Sequence, residues 1–143
     1  KALSEALAAS NEQFPAKLSA FRVARTAFKN TLPPDDYKYF SFQLWQEGVS
    51  RYTEWRVAKL AAERYAPTKE LQSLKDYVPF AARADSLRSK ILTELPNLPM
   101  VEWKRVVFYT FGAAEAMLLD RVNPRWQEQY LTKKFYLEEY YKK

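Results

Sequence analysis

The chemistry open to this sequence is carboxylate chemistry. Its 143 residues include no histidine and no cysteine. That excludes a Ser-His-Asp triad, a histidine general base, a thiolate nucleophile, disulfides and any self-contained histidine or cysteine zinc site. Three acids stand out by their surroundings. Glu47 sits beside Gly48 within residues 40–55 (F-S-F-Q-L-W-Q-E-G-V-S-R-Y-T-E-W), a strongly helical pattern. At 100° per residue Leu44, Gly48, Tyr52 and Trp55 share one arc, with Glu47 on its flank near Phe40, Arg51 and Ala58. A glycine inside a helix costs roughly 1 kcal/mol relative to alanine, so Gly48 implies the close approach of another backbone or a ligand. Glu47 itself reads either as an i,i+4 partner of Arg51, worth a few tenths of a kcal/mol, or as a functional carboxylate at a cleft. Glu54, two turns on, reads as structural. Glu115 stands in an apolar helix and is expected either to pair with an Arg or Lys of a neighbouring helix or to keep a raised pKa.

The elements that must position these acids are marked by proline. Leu3 and Leu7 predict a short helix over residues 2–12, and Leu18, Phe21, Val23, Ala24 and Phe28 an amphipathic one over 16–30. Pro33-Pro34 end it, and Asp35-Asp36 are expected to cap a long helix over 36–65 and to charge its first turn. Pro67 closes that helix, Thr68 caps the next segment, and Pro79 restarts the chain before a helix to residue 95 with Leu87, Ile91 and Leu95 as its core stripe. The linker L-P-N-L-P at 95–99 leads to a helix over 101–122. Between Val106 and Leu119 its only charge is Glu115, which predicts a central helix that Gly112 lets neighbours approach. Residues 125–143 are helical in propensity and rich in tyrosine. The whole predicts an all-α fold, an irregular bundle of about six or seven helices forming one helical domain over 1–143.

Composition sets further bounds. Two glycines among 143 residues leave little material for glycine-rich phosphate loops or tight hairpins. The net charge of +6 is dispersed along the chain with no basic arm, which argues against a nucleic-acid partner. No segment reaches the ~20 apolar residues of a membrane span, so no membrane partner is expected and the chain reads as soluble. It begins at Lys1 with no initiator methionine, and is therefore expected to be a fragment of a longer protein.

The run W-Q-E-G-V-S-R-Y-T-E from Trp45 to Glu54 resembles the glutamate helix of gluzincin metallopeptidases, the zinc aminopeptidases among them. There an E-G step followed by an aromatic marks the third zinc ligand. By that likeness Glu47 is the metal ligand. Tyr109-Thr-Phe-Gly112, followed by an apolar helix, resembles the aminopeptidases' Y-x-x-G segment, whose tyrosine hydroxyl stabilises the tetrahedral oxyanion. The 62-residue separation of Glu47 and Tyr109 is also similar to the family's. Gln46 stands where the aminopeptidases often have asparagine, and the family's H-E-x-x-H helix, source of the other two ligands, is absent from these residues.

The resemblance implies a C-terminal helical part of a zinc-dependent peptidase, a hydrolase inactive on its own. Its implied cofactor is zinc, held in the parent protein by a site that this chain supplies only in part. Its implied partners are the N-terminal catalytic half of the same protein and a peptide substrate, and the isolated chain is expected to self-associate through apolar surface that the other half covers. The alternative is a non-enzymatic helical interaction or scaffold module, a degenerate peptidase included.

Overall fold

Helix boundaries follow the prolines closely. The computed structural model describes residues 1–141, and all regular structure among them is helical. The helices are α1 (Ala2–Ala8), α2 (Phe14–Thr31), α3 (Pro34–Gln43), α4 (Val49–Arg64), the single turn α5 (Lys69–Gln72), α6 (Phe80–Glu94), the single turn α7 (Met100–Trp103) and α8 (Val107–Val122). Six of them run seven residues or more, an irregular all-α bundle. Pro33 stands at the N-cap of α3 with Pro34 as its first residue, so the expected aspartate cap is not formed. Asp35 and Asp36 lie in the first turn, where they face the positive end of the helix dipole. Thr68 does cap its segment, its Oγ1 accepting from the Leu71 amide at 3.2 Å, but that helix lasts one turn.

Three segments depart from expectation. The long helix is interrupted by a π-helical turn at Leu44–Gly48, where the Val49 amide bonds the Leu44 carbonyl five residues back. The helix expected over 101–122 is broken at Lys104, whose φ of 47° turns the chain before α8 begins at Val107. The expected tail helix is absent among the described residues. Only 3-10 turns form there, at Trp126–Gln129 and Leu137–Tyr141, and Lys142 and Lys143 lie outside the described residues. Side chains with distant partners override helix propensity in this tail. Trp45 stacks on Tyr130 at 4.4 Å between ring centres and donates its indole N–H to the Tyr130 carbonyl, and the Tyr130 hydroxyl donates to the Trp45 carbonyl at 2.7 Å. Burial pushes the Tyr130 phenol up to about 12.

The main core is an apolar cluster from Leu3 to Tyr141, centred on α8, which is buried at every position from Gly112 to Leu119, and a small second cluster of Ala58, Ala84 and Leu87 joins α4 to α6. Glu115 is in the middle of that run and fully buried. Arg25 of α2 answers it, its Nε 3.4 Å from Glu115 Oε1. The same guanidinium donates to the Tyr37 hydroxyl of α3 at 2.9 Å, reaches Glu138 of the C-terminal turn at 3.4 Å and lies over the Phe40 ring. The Tyr37 hydroxyl donates in turn to Glu138. One buried cation thus ties α2, α3, α8 and the tail, as the isolated position of Glu115 in its apolar helix implies. Burial nevertheless raises the Glu115 pKa, against the pull of Arg25, and its Oε2 has no hydrogen-bond partner among the described residues.

Candidate functional site

Glu47 is set by the π turn. The extra residue of a π bulge re-aims side chains relative to the helix on either side, and such bulges recur at functional sites. Here the turn places Leu44 in the core, Gly48 against α8 and Glu47 half-buried at the edge. Gly48 meets Gly112 of α8. A Cβ built on Gly48 would lie 2.4 Å from Gly112 Cα and 2.9 Å from the Phe108 carbonyl oxygen, and one built on Gly112 would lie 2.7 Å from Gly48 Cα and 2.8 Å from the Leu44 oxygen. Both glycines are therefore required by backbone-to-backbone contact, the reason that a helical Gly48 and a central Gly112 demanded. The crossing is braced by Asp120 of α8, which accepts from Tyr52 of α4 at 2.8 Å, Trp126 at 3.0 Å and Gln127 at 3.0 Å.

This crossing brings Glu47 and Tyr109 together. Tyr109 lies one turn before Gly112, and the neighbouring Glu47 carboxylate holds the Tyr109 pKa above its ordinary value. A negative carboxylate favours the neutral phenol over the phenolate. Arg51 makes no ion pair with Glu47. Its guanidinium is bonded to Glu54 at 2.6 Å and lies 5.7 Å from the centre of the Tyr109 ring. Glu54 also takes Arg83 of α6 at 2.6 Å, so it joins α4 to α6 in a structural role. Glu47 is left with no cation neutralising it among the described residues, and with a phenol as its partner.

Beside Tyr109 opens a cleft of about 480 Å³. One face of α6 supplies Leu87, Lys90, Ile91 and Glu94, and α7 supplies Glu102 and Trp103. Thr110, next to Tyr109, donates its hydroxyl to Glu94 Oε2 at 2.7 Å and so fixes that carboxylate in the cleft. In the sequence Leu87 and Ile91 read only as core positions, and Lys90, Glu94, Glu102, Trp103 and Thr110 carried no signal of a site. The i, i+3, i+4, i+7 spacing of the α6 set was legible, but the turn that presents Trp103 rests on the unexpected backbone of Lys104.

Comparison with family models, curated proteins and solved structures found no match for this chain. Among the described residues no three histidine, cysteine, aspartate or glutamate side chains are grouped so as to hold a metal ion, and no helix is long and apolar enough to cross a membrane. The donor set does not make a zinc site by itself. Glu47 is a partly exposed carboxylate of a kind that zinc accepts, and two or more further protein ligands would have to come from elsewhere.

Proposed function

We propose that this chain is the C-terminal helical part of a gluzincin-type zinc peptidase, with Glu47 as a zinc ligand and Tyr109 as the donor to the oxyanion. The observation that carries the reading is the Gly48–Gly112 crossing, which joins two residues 62 positions apart in a carboxylate–phenol pair. Glu47 would hold the metal, together with histidines from the N-terminal half of the same protein. When bound, zinc supplies Lewis-acid polarisation of the scissile carbonyl. The chain's own work is positional. Glu47 would keep the Tyr109 phenol protonated, and its single O–H would turn from the carboxylate to the peptide oxygen as negative charge develops there. The crossing of two helix backbones gives the pair a rigid support, which a transition-state donor needs.

The test uses the longer protein that carries the H-E-x-x-H helix. Glu47→Ala is expected to weaken zinc binding by about 100-fold or more, since even the loss of an outer-shell partner costs 10–100-fold. Tyr109→Phe is expected to lower kcat by about 10²–10³-fold with KM little changed, as for other oxyanion donors. Unchanged zinc affinity in Glu47→Ala would refute the assignment.

A second reading, a helical interaction module, is favoured by one observation. Met100, Val101 and Val106 are 56%, 89% and 48% exposed around the turn that precedes α8. Under the peptidase reading this apolar surface faces the N-terminal half, and the isolated chain self-associates through it. The upstream coding sequence separates the two readings, because an H-E-x-x-H helix belongs only to the enzyme.

A further inference from the structure

The cleft beside Tyr109 has a lining that suits one kind of side chain. Leu87 and Ile91 form its floor, and Trp103 and Val106 add an aromatic and an aliphatic wall. Carboxylates of Glu94 and Glu102 stand among these apolar groups. The cations nearby are unevenly placed. Arg51 is held by Glu54 at Tyr109, and Arg105 also acts on the Tyr109 phenol. The cation at Glu94 is Lys90, 3.8 Å away with its side chain 65% exposed, and a loose surface pair of that kind holds little energy. Glu102 has no ion pair among the described residues. Arg51 and Lys90 thus line the cleft with the two carboxylates, but Arg51 is engaged by Glu54 and Lys90 is mostly in solvent, which leaves Glu94 and Glu102 to meet an incoming cation.

We propose that this cleft receives the lysine or arginine side chain of a peptide whose carbonyl group lies at Tyr109. The substrate class rests on the peptidase reading above, whereas the binding preference does not. Long basic side chains bury an aliphatic stem on apolar surface and keep a charged tip for polar partners. Here the stem lies on Leu87, Ile91 and Val106, the tip reaches Glu94 and Glu102, and Trp103 offers its ring face to a cation. Thr110 keeps Glu94 from collapsing outward to solvent. An acidic side chain in the same place meets two carboxylates.

The experiment measures binding without turnover. The 143-residue chain, labelled with nitrogen-15, is titrated with tripeptides blocked at both ends that differ only in a central lysine, norleucine or glutamate. The Trp103 indole and the Ile91 and Thr110 amides are followed by NMR. The lysine peptide is expected to bind about tenfold more tightly than the norleucine peptide, the worth of one charge-assisted hydrogen bond, and the glutamate peptide not to bind. Glu102→Lys is expected to abolish the preference. Glu94→Gln, which keeps an acceptor for Thr110, is expected to reduce it. Equal binding of lysine and norleucine peptides, or a preference that survives both substitutions, overturns the proposal. Tyr109→Phe and Glu47→Ala are expected to keep the preference. Unchanged zinc affinity in Glu47→Ala or unchanged kcat in Tyr109→Phe, measured in the longer protein, would sink the peptidase reading and leave this one standing.

Discussion

Adding one methyl group at Gly48 tests the central contact of the molecule. In Gly48→Ala the new Cβ meets Gly112 Cα at 2.4 Å, Gly112 C at 2.8 Å and the Phe108 oxygen at 2.9 Å. Ordinary carbon contacts lie at about 3.5–4.0 Å, so α8 has to withdraw by about 1.1–1.6 Å, enough to forfeit half or more of the dispersion at the crossing. All three atoms are backbone, and no side-chain rotation relieves them. Overpacking of this kind costs about 1–3 kcal/mol, and with a rigid obstacle the upper end applies. Alanine returns about 1 kcal/mol through helix propensity. The net loss is about 2 kcal/mol, or about 6 °C in Tm for a domain of this size.

Urea unfolding, with Ser50→Ala on the exposed face of α4 as control, measures the effect as a shift in midpoint at unchanged slope. Gly112→Ala meets the same crossing from the other side, at 2.7 Å from Gly48 Cα, so the double variant should lose less than the two singles added together. A Gly48→Ala protein as stable as the parent, or more stable by the helix-propensity gain, would show that the backbones do not need this contact and would refute the reasoning.

Other outcomes follow from the buried charges and the backbone. Arg25→Met should cost about 3–5 kcal/mol by leaving Glu115 buried without its cation, and Arg25→Met with Glu115→Leu should recover most of it. The Glu115 pKa is raised in the folded state, so the folded chain holds that proton more tightly. Its contribution to stability is complete below the unfolded value of about 4.3 and is lost as pH rises through the folded value. The Arg25→Met deficit, read by urea unfolding across pH, should therefore be smallest in acid and grow with rising pH. Lys104→Gly should raise stability by about 1 kcal/mol in a thermal melt, because a non-glycine residue at φ 47° stores about 1–3 kcal/mol and glycine gives back part of that in unfolded-chain entropy. Glu47→Gln should bring the Tyr109 phenol down toward its ordinary value of about 10, followed by NMR titration of ring-labelled tyrosine.

What was legible in the sequence was local or periodic. Proline acts on its own φ and on the residue before it, so the start of α6 could be read directly and that of α3 to within two residues. Leu87, Ile91 and Leu95 reached the core because a 3.6-residue stripe has only one face to bury. Gly48 and Gly112 could be recognised as close-approach sites, but not as each other's partner. What escaped depended on distant residues. The tail has the composition of a helix, yet Tyr130 and Tyr140 are held by Trp45, some 85 and 95 residues earlier, and a 3-10 path is what lets both reach it. The bend at Lys104 has no signal in its residue type. Arg51 offered itself to Glu47 by spacing, but Glu54 with its second cation from α6 was the stronger competitor.

That competition bears on the chemistry of the site. Had Arg51 paired with Glu47, the carboxylate would be neutralised and a poor ligand for a cation. With Arg51 drawn away to Glu54, Glu47 has no ion pair among the described residues and has Tyr109 as its neighbour. A carboxylate has two oxygens and about four lone-pair sites, so bonding one phenol leaves acceptor capacity for a metal. The contact of Gly48 with Gly112 accounts for both glycines, and Glu47 beside that contact is the carboxylate on which the proposed metal site depends.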